Sequence, residues 1–128
     1  MAEYSSAFPV LQAPSLTGQS TYARKLQDAA FWQPYVDEVL RRHNLPRDKA
    51  VVGASGTFPT FLVGSSVIKF FGQRFEGVEC FQIERSLYTR TLPMLRGVAV
   101  PRLVAHGHLF ETGWPWPYIV TTRLAGTA

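Results

Sequence analysis

Trp32, Tyr35, Val36, Val39 and Leu40 recur at three- and four-residue intervals, the spacing of one helical face, and predict a helix from about Phe31 to His43. Pro34 is tolerable only in its first turn, and Asn44 with Leu45-Pro46 ends it. Asp37, Glu38, Arg41 and Arg42 supply the wet face. From Ala50 the period becomes that of strands: Val51-Val52-Gly53 and the run from Thr57 to Val63 flank Ala54-Ser55-Gly56. Gly64-Ser65-Ser66 then turns the chain into Val67-Ile68-Lys69-Phe70-Phe71, so three short strands in a meander are expected. After Gly77, the residues Val78, Phe81, Leu87 and Tyr88 mark a second helical face. Pro93 and Pro101 bracket a connector, and strands are expected from Leu103 to Phe110 and from Tyr118 to Leu124. Between those strands, Glu111 to Pro117 holds the rigid run Trp114-Pro115-Trp116-Pro117. The fold class is therefore α+β, in the order helix, three strands, helix, two strands. Residues 1–27, rich in Ser, Thr, Ala and Gln with Pro9 and Pro14, are expected to form a mobile arm before a single domain over 28–128.

Two charges break this pattern. Lys69 sits inside an apolar strand, and Glu84 falls on the apolar stripe of the second helix. Removing one partner of a buried ion pair costs roughly 3–5 kcal/mol, so two inward-facing opposite charges in neighbouring elements should meet. A lone strand lysine would snorkel to the sheet edge. A lysine held by a glutamate instead offers a fixed, compact positive charge suited to phosphate oxygens, as protein kinases use to hold ATP.

Composition sets limits on what the rest can be. The chain has 128 residues, 46% of them hydrophobic, enough for one modest core and too few for a two-lobed enzyme. A net charge of +4 comes from scattered basic residues, which excludes a nucleic-acid footprint and leaves weak attraction for anions. The single cysteine, Cys80, is expected to be a small packing residue, so a reducing cytoplasm is the default. No leader and no membrane span are recognised, and no membrane partner is expected.

The Gly53-Ala54-Ser55-Gly56-Thr57 turn lies where a loop covering phosphates would be needed, because small residues let backbone N–H groups approach phosphate oxygens. It matches neither the Walker A spacing nor G-x-G-x-x-G, and a two-glycine hairpin turn is an ordinary structural device. His106-Gly107-His108 puts two imidazoles on one strand face, but with no third ligand nearby they are expected to be exposed strand-end residues rather than a metal site. No nucleophile is recognised from spacing.

Taken in order, Phe31-Trp32-Gln33-Pro34, the run from Val67 to Gly72, Val100-Pro101-Arg102-Leu103, the run from Trp114 to Val120, and Leu124-Ala125-Gly126-Thr127 resemble the amino-terminal lobe of the aminoglycoside phosphotransferase family, closest to its hygromycin-type members. The resemblance covers about Phe31 to Thr127. It implies a protein-kinase-like small lobe: a five-stranded antiparallel sheet with the glutamate helix packed on it and an extra N-terminal helix. Lys69 would hold the ATP phosphates, Glu84 would orient Lys69, and Gly53, Ser55, Gly56 and Thr57 would cover the nucleotide. By the same likeness Thr121 guards the back of the adenine pocket. The backbone carbonyl of Thr122 and the N–H of Leu124 bind the adenine edge, and Gly126 turns the hinge.

The family's larger lobe carries a His-Gly-Asp type catalytic loop and a magnesium-binding aspartate, and neither is recognised before Ala128. The chain alone is therefore expected to be inactive. A longer parent would transfer the ATP γ-phosphate to a hydroxyl of an aminoglycoside or related metabolite, an antibiotic-resistance chemistry, with magnesium and the acceptor held by the other lobe. The alternative is a non-catalytic binding or interaction module: a degenerate lobe, or a nucleic-acid-binding sheet on which Phe70 and Phe71 stack bases. An apolar cleft face left exposed is expected to promote self-association.

Overall fold

The computed structural model describes residues 11–53 and 56–124. Among these residues, three α-helices, α1 (Gln19–Leu26), α2 (Ala29–Arg42) and α3 (Gly77–Ser86), accompany strands β1 (Val51–Val52), β2 (Thr60–Val63), β3 (Ser66–Phe70), β4 (Leu103–His108) and β5 (Pro117–Thr122). The strands form one antiparallel sheet in the order β1-β2-β3-β5-β4. The α+β class and the five strands are as the hydrophobic pattern predicts, and their union in one antiparallel sheet is as the resemblance implies. Among the described residues no helix is long and apolar enough to cross a membrane.

Strand alternation divides the sheet into two faces. Ile68 and Phe70 of β3, Phe61 and Val63 of β2, and Tyr118 and Val120 of β5 join Trp32, Val36, Val39 and Leu40 of α2 in the main core. On the other face Phe58, Phe71 and Ile119 form a smaller cluster, packed against Cys80, Phe81 and Tyr88 from α3 and the turn after it. Phe70 and Phe71 are both fully buried, so neither is available to stack on a base.

The second helix is built from its ends. Asp28 caps it by accepting from the Phe31 N–H at 3.1 Å. At the far end Asn44 adopts a left-handed φ of 55°, and the Leu45 N–H donates to the Leu40 carbonyl at 2.9 Å, closing a Schellman turn. The helix begins two residues earlier than the pattern suggests, so Pro34 lies beyond the first turn. It is exposed, and the buried neighbours Trp32, Tyr35 and Val36 hold the helix through it.

The arm expected over residues 1–27 is corrected from residue 11 onward. Leu16 and Tyr22 are buried, α1 forms, and the segment is tied down by its own backbone. Tyr35 donates to the Gln12 carbonyl at 2.6 Å, Trp116 to the Pro14 carbonyl at 3.0 Å, and Arg74 to the Thr17 carbonyl at 3.0 Å. These bonds run from residues far along the chain to main-chain carbonyls, which any composition supplies. Helix α3 differs too: it ends at Ser86 and relaxes through a π turn (Leu87–Thr91) and a 3₁₀ turn (Leu92–Met94), leaving Leu87 exposed rather than on the buried stripe.

His43, at the end of α2, lies 2.7 Å from the Tyr118 hydroxyl. Burial, then the Arg42 and His106 charges, hold its imidazole below the usual value. The unfolded chain therefore binds this proton more readily. The stabilising contribution is complete above about pH 6.5 and is lost as pH falls through the folded value. Thermal midpoints should drop between pH 7.5 and 5.5, and His43→Gln should flatten that segment of the curve. Glu38, whose carboxyl the Arg41 hydrogen bond holds below its usual value, acts only in a more acidic range. A curve unchanged by His43→Gln would refute the assignment.

Candidate functional site

Lys69 leaves β3 on the face of the smaller cluster, opposite Thr60 on β2 and Ile119 on β5. Its ammonium meets the Glu84 carboxylate at 2.6 Å, so the pair expected from the misplaced charges forms. The two side chains retain 29% and 27% exposure, which lowers the cost of desolvation while keeping the pair out of bulk water. The ammonium also lies 5.3 Å from the Phe71 ring centroid and 5.8 Å from that of Phe58, within range of cation–π attraction.

Glu84 reaches this point because α3 starts in direct contact with the end of β3. Phe75 and Glu76 take left-handed φ values of 62° and 56° to make the turn, and a Cβ on Gly77 would lie 2.0 Å from the Gly72 carbonyl oxygen. Only glycine lets the helix begin so close to the strand.

Around the pair lies a cavity of about 260 Å³, lined by Gly56, Thr57, Phe58, Thr60, Val67, Lys69, Glu84, Tyr88, Ile119 and Thr121. It gathers five of the residues anticipated from sequence: Lys69, Glu84, Gly56, Thr57 and Thr121. Gly53, Thr122 and Leu124 are not among its lining residues. The Gly53 N–H donates to the Thr60 carbonyl at 2.9 Å and a Cβ there would meet the same oxygen at 3.2 Å, so Gly53 extends the β1–β2 pairing and has no N–H to give a ligand. Ser55 and Gly126 lie outside the described residues. Thr122 does not line the cavity; its N–H donates to the Arg102 carbonyl and its hydroxyl accepts from the Arg102 N–H, both at 2.9 Å. Leu124 follows the end of β5.

Phe58, Thr60, Val67, Ile119 and Tyr88 went unrecognised. Val67 precedes Lys69 by two positions and shares its face, and Tyr88 follows Glu84 by one helical turn, so both were open to the same spacing argument. Thr60 faces Lys69 across the hairpin closed by Gly64-Ser65, whose turn sets the register, whereas Ile119 pairs with Lys69 across a long connection that no local pattern fixes. Burial, then the Glu84 charge, raises the Tyr88 phenol above its usual value.

The cleft face is not the exposed apolar surface expected from the sequence. Phe58, Phe71, Ile119 and Thr121 are all buried. The exposed large apolar side chains include Ile83, Leu87, Met94, Leu95 and Val98, on α3 and the connector that follows. His106 and His108 are exposed on β4, with His108 3.2 Å from Glu111. Among the described residues no group of three or more His, Cys, Asp or Glu side chains is placed to hold a metal ion. Chemically, the cavity offers a glutamate-anchored ammonium beside a small-residue loop, with Val67 and Ile119 as apolar walls. No protein-family model matches the chain.

Proposed function

We propose that this cavity binds ATP through its phosphates, as the small lobe of a protein-kinase-like, small-molecule phosphotransferase. The observation that carries the reading is the Lys69–Glu84 pair, with its ammonium fixed at 2.6 Å on a cavity wall. A carboxylate that holds a lysine leaves the remaining ammonium protons free to donate to phosphate oxygens. Gly56 and Thr57 put main chain beside that charge, Val67 and Ile119 offer a surface for a flat base, and Thr121 closes the back. The strand order with a helix inserted after the lysine strand also supports the kinase-like reading.

The volume fits part of a nucleotide: about 260 Å³ falls below the roughly 300–1,000 Å³ of pockets that enclose drug-sized ligands. The reading therefore assigns phosphate recognition to this chain. Phosphoryl transfer to an aminoglycoside-like alcohol further requires a carboxylate to receive the hydroxyl proton and a metal ion to neutralise the phosphates, which a second lobe would supply. Binding in a reducing, cytoplasmic setting accords with the lone thiol at Cys80.

Calorimetric titration with ATP tests this. The chain should bind ATP, and Lys69→Ala should weaken binding at least about tenfold, the effect of losing a charge-assisted hydrogen bond. Glu84→Gln should weaken it less, since the ammonium remains but is no longer fixed. Binding that is absent in the wild-type chain, or unchanged in Lys69→Ala, would leave a non-catalytic interaction module as the better description.

A further inference from the structure

The phenol of Tyr22 on α1 donates to the main-chain carbonyl of Thr57, a cavity residue 35 positions later in the chain. Tyr22 is buried, and burial lifts its phenol to about 12, so it stays a donor across the physiological range. The residues just before α1 are anchored by the Leu16 N–H on Gln73 at 2.8 Å and by Arg74 on the Thr17 carbonyl, so the segment from Leu16 to Tyr22 links the loop to the turn that launches α3. In a trans peptide the carbonyl and the following N–H point in opposite directions. Fixing the Thr57 carbonyl on Tyr22 therefore directs the Phe58 N–H away from α1. That N–H belongs to a buried residue on the cavity wall and has no hydrogen-bond partner among the described residues. Buried backbone donors are almost always satisfied, so an unpaired one in a cavity residue whose ring lies 5.8 Å from the Lys69 ammonium marks a place for an acceptor.

We infer that the Phe58 backbone N–H is a phosphate donor and that Tyr22 is the positioning residue that aims it. The inference rests on the ATP reading and goes beyond it, because it adds a second donor and gives the N-terminal segment a part in ligand binding. An ammonium and an amide N–H on one oxyanion group would recognise the polyphosphate moiety, leaving adenosine recognition to the apolar walls.

The test uses Tyr22→Phe in the 128-residue chain, with inorganic tripolyphosphate, ATP and adenosine as probes in magnesium-free buffer. In the wild-type chain tripolyphosphate should move the Phe58 amide proton downfield more than any other backbone amide. Tyr22→Phe should weaken tripolyphosphate and ATP by about tenfold and adenosine by less than about twofold, the loss expected for one charge-assisted donor. Affinities are expressed per folded molecule, with the folded fraction read from near-ultraviolet ellipticity, so a destabilised variant still decides the matter. If Lys69→Ala weakens tripolyphosphate but Tyr22→Phe does not, the inference is wrong and the ATP reading stands. Equal losses for adenosine and tripolyphosphate would make Tyr22 a purely structural residue. A Phe58 amide that ignores tripolyphosphate also refutes the proposal, and Lys69→Ala binding like wild type removes the ATP reading along with it.

Discussion

Trp32→Ala should cost about 3–5 kcal/mol, a large part of the roughly 5–15 kcal/mol by which a domain is ordinarily stable. The indole is fully buried and stacks on Phe70 with ring centroids 5.0 Å apart and planes 18° from parallel. It also meets Trp116 edge-on at 5.2 Å, and its N–H donates to the Lys25 carbonyl at 2.8 Å. One side chain thus joins α1, α2, β3 and the segment before β5. Truncation would leave a cavity among rigid rings that cannot collapse into it, and would remove the indole's hydrogen bond to the Lys25 carbonyl, which keeps its main-chain donor, the Asp28 N–H at 3.1 Å. Urea denaturation should show the loss as a lower midpoint. A change under about 1 kcal/mol would mean the aromatic cluster repacks freely, contrary to its interlocked geometry.

The second large effect runs against helix propensity. Alanine is about 1 kcal/mol better than glycine inside a helix, so a glycine at the start of α3 looks replaceable. Gly77→Ala should instead destabilise by about 3 kcal/mol, at the upper end for overpacking, because the new methyl would meet the Gly72 carbonyl oxygen at 2.0 Å and Trp114 at 3.1 Å. The obstacle is main chain, which cannot swing aside, so α3 must shift and carry Glu84 away from Lys69. ATP affinity should therefore fall together with stability. Unfolding at the wild-type midpoint with unchanged ATP binding would show that α3 accommodates the methyl.

The split between what could and could not be read from residue order is physical. Trp32 to Leu40 and the β3 alternation are local, so the hydrophobic face of α2 and the pairing of Lys69 with Glu84 follow from spacing alone. Leu16 and Tyr22 are sparse apolar residues in a polar stretch, and what binds them to the core are hydrogen bonds to distant partners such as Gln73, Arg74 and Trp116. No window of sequence contains such a bond. Gly53 misled in the opposite direction: its small size signals a loop for phosphates, yet the close approach it permits is to Thr60 on the neighbouring strand. The end of α3 escaped because Leu87 continues the helical period in sequence while a π turn rotates it outward.

The position of β5 between β3 and β4 has a consequence for how the chain reaches this state. Ser66 pairs with Thr122 and Phe70 with Tyr118, so the strand carrying Lys69 has an open edge until nearly all of the described chain has been synthesised. While the ribosome holds the last strand, the β1–β2–β3 meander exposes unpaired N–H and carbonyl groups next to Ile68 and Phe70, a template for the wrong partner. Closing so long a loop before its contacts form also slows folding. Nascent chains halted before Pro117 should thus be the species most prone to aggregate and the best clients for a chaperone.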